Sequence, residues 1–257
     1  MSGTIIPKEP NWYNDIEDPV YDITVFWPSR GRPDFTRETM KRAFDKSSKK
    51  NKIQAIVRVD RDDPFLGEYV NEIKLWENSS LIIGSRLHGY ESTHVFYDEC
   101  ARLSIGKLMW LLNDDGWIDT ENWDQVIIDF INKHYKNDVF ICSFDCRNID
   151  GKGKAYDWAF PIMSRKMFNL LGKFCYGDVK YIDTILRYTG DYLGSKQIPV
   201  RVIHQHVWDI KSDETSREGC LAAYKWMGET GNKIAYKMME RLGKEIADIL
   251  RPYMINE

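Results

Sequence analysis

The chain has 257 residues, of which 43% are apolar and 29% charged, and its formal net charge is −3. That length admits one large α/β domain with at most a small appendage, and the composition is that of an ordinary globular protein. Near-neutral charge gives no bulk signal for nucleic acid or a membrane surface, and no apolar run approaches a membrane span.

The first 20 residues are rich in Pro, Asn and acids and read as an extended arm. Residues Tyr21 to Trp27 form a β-branched and aromatic strand, stopped by the turn Pro28-Ser29-Arg30-Gly31-Arg32-Pro33. An amphipathic helix follows, with Phe35, Met40, Ala43 and Phe44 as its expected buried set. Ile53 to Val59 is a second strand, ending in Asp60-Arg61-Asp62-Asp63, and Leu66 to Trp76 a short helix. Leu81-Ile82-Ile83 is a third strand, ending at Gly84-Ser85-Arg86. Ser92 is placed to cap a helix through Leu103 that Gly106 closes.

Lys107 to Leu112 is then an apolar run that ends abruptly in Asn113-Asp114-Asp115-Gly116. It reads as a strand buried on both faces. The alternation up to here predicts an α/β fold with a mostly parallel central sheet and helices on both faces. Each strand ends in polar residues, and parallel strands bring those ends to one edge, where open α/β sheets bind ligands.

The second half is less regular. Trp123 to Ile131 is a helix, Val139 to Phe144 a strand, and Asp150 to Lys154 a Gly/Lys-rich loop. Ser164 caps a helix that Gly172 ends, and Gly177-Asp178 opens another through Ile182, Ile185 and Leu186. Val200 to Ile203 is a last strand, running into His204-Gln205-His206. A C-terminal helical region from about Glu218 to Tyr253 breaks near Gly228 and Gly231.

Five scattered cysteines without a CxxC pair argue against a zinc ribbon or a disulfide framework. Reduced thiols and the lack of a signal-peptide core predict a cytoplasmic protein. Basic residues crowd between Arg30 and Arg61, expected mostly on the solvated face of the first helix. A phosphate-rich partner there is the alternative.

Asp114-Asp115 alone could be a helix cap or a solubilising loop. His206, at another strand exit, adds an imidazole. A carboxylate and an imidazole, completed by diphosphate oxygens and water, suit Mn²⁺ or Mg²⁺. The order Pro28-Ser29-Arg30-Gly31-Arg32-Pro33, Asp60-Arg61-Asp62, Asn113-Asp114-Asp115 and His204-Gln205-His206 resembles GT-A fold glycosyltransferases, over roughly residues 21 to 209. It looks most like compact members of viral or bacterial type. Asn113 departs from a strict Asp-x-Asp.

The resemblance implies a catalytic domain over 21–210, in a nucleotide-binding half (21–118) and an acceptor half (119–210), with 211–257 as an extension packed on it. It implies metal on Asp115 and His206, with His204 as the other candidate, and nucleotide contacts from Ser29, Arg30, Asp60, Asp62, Arg86 and Asp114. A carboxylate at Asp60 or Asp62 can accept from a uracil N–H, so a UDP-sugar is the expected donor. An inverting reaction needs a carboxylate to take the acceptor's proton. Asp178 is the first candidate and Asp183 the next; with neither, a retaining reaction is the better reading. Trp117 and Trp158 are core residues first, with sugar or base stacking as the alternative.

The acceptor is a hydroxyl on a glycan or, as the lesser option, on a hydroxymethylpyrimidine in DNA. The rival activities are a nucleotidyltransferase making nucleotide sugars and a silent sugar- or nucleotide-binding protein. The first lacks its Gly-rich, Lys-containing turn after the first strand. The second is disfavoured by the presence of both Asp115 and His206.

Overall fold

The computed structural model describes residues 19–86, 93–149, 153–174, 181–205 and 225–254. In chain order the elements are β1 (Tyr21–Pro28), α1 (Pro33–Asp45), β2 (Ile53–Asp60), α2 (Leu66–Ile73), β3 (Ser79–Gly84), α3 (Thr93–Leu103), β4 (Gly106–Leu111) and β5 (Gly116–Ile118). They continue with α4 (Trp123–His134), β6 (Ile141–Asn148), β7 (Ile162–Ser164), α5 (Arg165–Leu171), α6 (Ile182–Leu193), β8 (Gln197–His204) and α7 (Asn232–Leu250). Residues 1–18 of the arm, Ser92, Asp178 and His206 lie outside the described residues.

Among the described residues one eight-stranded sheet runs in the order β3-β2-β1-β4-β7-β6-β8-β5. The first four strands in sequence are mutually parallel, as their alternation with helices predicts. The sheet as a whole is mixed. Short β7 wedges antiparallel between β4 and β6, and β5 pairs antiparallel with β8 at the far edge. Sequence reading missed β5, because three residues straight after a turn carry too little periodicity to register.

Alternation along the strands divides the interior into two cores. Ile23, Val25 and Trp27 of β1 face one, with Met40 and Ala43 of α1 and Ile127 of α4. Phe26 faces the other, with Tyr97 and Cys100 of α3, Ile185 of α6 and Met239 of α7. Each such fully buried large apolar side chain contributes roughly 1.5–3 kcal/mol relative to exposure. The C-terminal helix is therefore part of the same core. Cys100, Cys142 and Cys146 are buried free thiols.

Two local expectations need correction. In α1, Phe35 and Phe44 are only half-buried, and Thr36 and Thr39 take inward positions instead. Thr39 is drawn in because its hydroxyl donates to the Asp114 carbonyl at 2.7 Å. Gly106 does not close α3; it opens β4. The end of α3 is satisfied by buried Arg165, whose guanidinium donates to the Ala101, Ser104 and Gly106 carbonyls.

Gly106 has a different reason to be glycine. A Cβ there would stand 2.4 Å from Thr24 Oγ1 and 2.8 Å from the Thr24 backbone nitrogen. Gly106→Ala is expected to cost about 1–3 kcal/mol through forced displacement of β1. Equilibrium unfolding in denaturant measures this; a change within error would mean that the strands can part freely.

Candidate functional site

The C-terminal ends of β1, β2, β3 and β4 meet at one edge, where they are joined by side chains. Asn113 makes the turn after β4. Its φ of 62° is left-handed, a conformation that Asn tolerates better than most residues, and its Oδ1 accepts from the Tyr97 hydroxyl at 2.6 Å. The turn sends Asp114 towards β1 and Asp115 towards β8.

Asp114 is 1% exposed, with both carboxylate oxygens engaged. Ser29 donates to Oδ2 at 2.5 Å and Arg32 Nη2 to Oδ1 at 2.7 Å. A serine has a single hydroxyl proton, so Tyr69 must donate to Ser29 Oγ at 2.8 Å, while the Arg32 N–H donates to Tyr69 at 2.9 Å. The chain of bonds is thus closed and directional. Burial pushes the Asp114 carboxyl up to about 6, against the pull of Arg32 and Ser29. Gly31, at φ 67°, turns its N–H onto Asp63 Oδ2 at 2.7 Å, which fixes the loop from below.

Arg30 links the first two strand ends, with Nη1 3.1 Å from Asp60 and 2.9 Å from Asp62. Arg86 stands 3.6 Å from Asp62 at the end of β3. Asp60 is buried and Asp62 is half exposed. Ser29, Arg30, Asp60, Asp62, Arg86 and Asp114 therefore all lie on one rim.

Asp115 faces the other half. Its Oδ2 is 3.5 Å from His204 Nε2, and its backbone carbonyl accepts from Gln205 N–H at 2.9 Å. Among the described residues its Oδ1 is buried with no hydrogen-bond partner. Burial raises the Asp115 carboxyl, but His204 and Arg32 outweigh it and hold the group below the usual carboxylate range. An ionised carboxylate with an open, buried oxygen beside an imidazole is a donor set that fits a divalent cation. Among the described residues, no three His, Cys, Asp or Glu side chains converge, so such a cation would take its remaining ligands from water and substrate.

Asp183 sits in the first turn of α6 and is half-buried. Burial raises its carboxyl above the ordinary value, and its field reaches Tyr97, Tyr156 and His204. The fold thus draws Asp115 and His204 together, with Asp183 within electrostatic reach of His204.

Sequence reasoning assigned no role to Arg32, Thr39, Arg58, Asp63, Tyr69 and Tyr97. Arg32 and Asp63 stood in the quoted strand ends and Arg58 in the basic stretch; Thr39, Tyr69 and Tyr97 gave no signal, because a buried hydroxyl has no periodicity of its own. Trp158 is packed into the core, where a Cβ on Gly190 would come within 2.0 Å of it. Trp117 stacks under Arg42 at 4.0 Å. The basic stretch is largely neutralised: Arg37 pairs with Glu72, Lys41 with Asp45, Arg42 with Glu38 and Lys46 with Glu121. A polar groove of about 500 Å³ lies elsewhere, along β6 and β8 around Asp145, Arg147 and Arg201.

No family model matches the chain, and no curated protein matches it in sequence. Solved structures do. The mannosyltransferase PcManGT from Pyrobaculum calidifontis, in complex with GDP-Man and Mn²⁺, superposes with a TM-score of 0.56 at 12% identity, over 93% of this chain and 89% of that one. S. aureus TarS 1–349 in complex with UDP-GlcNAc gives 0.60 at 10% identity, over 89% of this chain and 71% of that one. GalNAc-T7 with UDP, GalNAc and Mn²⁺ gives 0.59 at 14% identity, over 91% of this chain but 55% of that one. At such identities the likeness is one of fold, and the fold is GT-A.

Proposed function

We propose that the protein is a metal-dependent glycosyltransferase that moves a sugar from a nucleotide donor, UDP-linked, to a hydroxyl acceptor with inversion. One observation carries the reading: Asp115, with a carboxylate oxygen that has no hydrogen-bond partner among the described residues, stands beside His204, at the same sheet edge as the Arg30–Asp60–Asp62 rim. Structures of the same fold hold GDP-Man, UDP-GlcNAc, or UDP with Mn²⁺, which supports a nucleotide-sugar donor here.

Asp115 and His204 would hold the cation, Mn²⁺ or Mg²⁺, and His206 is the further candidate from the sequence. When bound, the cation supplies Lewis-acid neutralisation of the departing diphosphate. The chain's own groups do the rest. Arg30 and Arg86 face the nucleotide's anionic part, and Asp60 and Asp62 accept from its base or ribose. Asp114 acts on the nucleotide through Ser29 and Arg32, which it holds in place. Asp183 takes the acceptor's hydroxyl proton, a role for which a raised carboxyl is suited because it is a stronger base. Asp178 is the alternative base.

A glycan is the better acceptor reading than DNA, because the carboxylates paired along α1 leave little free positive field for a duplex.

The test is thermal shift with UDP, GDP, CDP and dTDP, each with and without Mn²⁺. Native-state ligands raise apparent stability according to affinity, by about 2.7 kcal/mol at a hundred times Kd. The expected result is a shift largest for UDP and enhanced by Mn²⁺. No shift with any of the four, together with no donor hydrolysis, would sink the enzyme reading.

A further inference from the structure

Arg58 lies in the middle of the buried strand β2 and is 2% exposed. Its sequence position placed it in the basic stretch expected on a solvated face. Instead it shares the strand face of Ile56, beneath α3. All three guanidinium nitrogens are used. Nε donates to Glu99 of α3 at 2.8 Å, Nη2 to the Ser85 carbonyl beyond β3 at 2.6 Å, and Nη1 to Asp60 Oδ1. The guanidinium lies over the Phe96 ring at 4.1 Å. Gly84 leaves the slot open, since a Cβ there would come within 2.4 Å of Nη2.

The consequence falls on Asp60. Its Oδ1 is committed to Arg58 from below, and its Oδ2 meets Arg30 Nη1 at 3.1 Å from the rim. Arg30 is shared with half-exposed Asp62, so it has a second partner to turn to. Arg58 has none of that freedom: a buried, planar fork with three partners fixes each of them.

We propose that Arg58 is a positioning residue of the nucleotide pocket. It holds Asp60 in one rotamer, so that Oδ2 is the oxygen offered to the nucleoside, and it ties that pocket to the end of β3 and to α3. This rests on the reading of Asp60 as a nucleoside contact.

Two probes separate the halves of the ligand: inorganic pyrophosphate with Mn²⁺ reports the diphosphate side, and a nucleoside diphosphate with Mn²⁺ reports both. Calorimetric titration of Arg58→Met should show the best-binding of UDP, GDP, CDP and dTDP weakened by about tenfold or more, with pyrophosphate affinity unchanged within about twofold. Arg58→Lys should behave like Arg58→Met, because a single compact ammonium nitrogen cannot reach three partners spread around a planar fork. Asp60→Asn should show the same selective loss, and the double variant little further loss.

Should Arg58→Met fail to fold, Glu99→Gln, at the partly exposed end of the same clamp, is titrated in its place and should show a smaller selective loss. Equal weakening of both probes, or of neither, would overturn the proposal. A wild-type protein that binds pyrophosphate but no nucleoside diphosphate would overturn it at its root, by removing Asp60 as a nucleoside contact.

Discussion

Asp115→Asn is expected to reduce donor turnover by about 10³ or more while leaving the fold intact. Asn keeps the shape of the side chain and one acceptor oxygen, but it removes the charge that would attract a cation. The position is poor in structural bonds. His204 stands 3.5 Å from Oδ2, and Oδ1 has no hydrogen-bond partner among the described residues. Loss of the carboxylate should therefore leave Tm within a few degrees of wild type, a change of about 1 kcal/mol at most for a chain of this size. Asp114→Asn offers the contrast. Asp114 is 1% exposed and accepts from Ser29 and Arg32, so an amide in place of one oxygen should break that chain of bonds and cost turnover without any loss of a cation ligand. The decisive readout is not turnover alone. Mn²⁺ should enhance nucleoside-diphosphate binding by wild type and fail to do so for Asp115→Asn. A variant that keeps both turnover and the Mn²⁺ response would place the metal elsewhere.

The first half of the fold was legible because its strands are long, apolar and separated by helices with ordinary periodicity. β1, β2 and β4 lie within two residues of their sequence-derived bounds, and the strand ends meet at one edge as the parallel order requires. The second half was not legible in the same way. β5 and β7 have three residues each, and their antiparallel pairing depends on partners far along the chain. Such pairing is decided by tertiary packing, and no local pattern announces it.

The site divides along a similar line. Ser29, Arg30, Asp60, Asp62, Arg86, Asp114 and Asp115 stand at strand ends, where a polar residue after an apolar run is conspicuous. Arg58, Tyr69 and Tyr97 are interior residues of elements, and what they do is set by what they touch across the sheet. Arg58 shows the limit well: two residues before Asp60 it reads as another surface cation, yet it is among the most buried groups in the protein. His204 is intermediate. Its strand was predicted, but only the pairing Gly116↔His204 brings it to Asp115. Local patterning reveals which residues reach the rim, and the sheet order decides which of them can act together.

Asp183→Asn should lower kcat by roughly 10²–10⁴, the range associated with loss of a positioned general base, while nucleoside-diphosphate binding stays unchanged. Burial raises the Asp183 carboxyl, so the acid limb of the wild-type rate should lie above the pH at which an ordinary carboxylate titrates. Turnover should rise as pH climbs through that limb, and the variant should lack it.

The same shift has a consequence for stability. The folded state disfavours ionised Asp183, so ionisation makes no difference below its unfolded pKa and destabilises increasingly as pH rises through the folded value. Asn keeps an oxygen that can accept from Thr184 N–H, now at 2.8 Å, without the charge. Asp183→Asn should thus melt higher than wild type at neutral pH, with the gap closing towards acid pH. A variant that is slower, more stable at neutral pH and unchanged in nucleotide affinity has the signature of a buried base. If turnover and its acid limb survive the substitution, the proton is taken elsewhere, and the same measurements on Asp178→Asn become decisive.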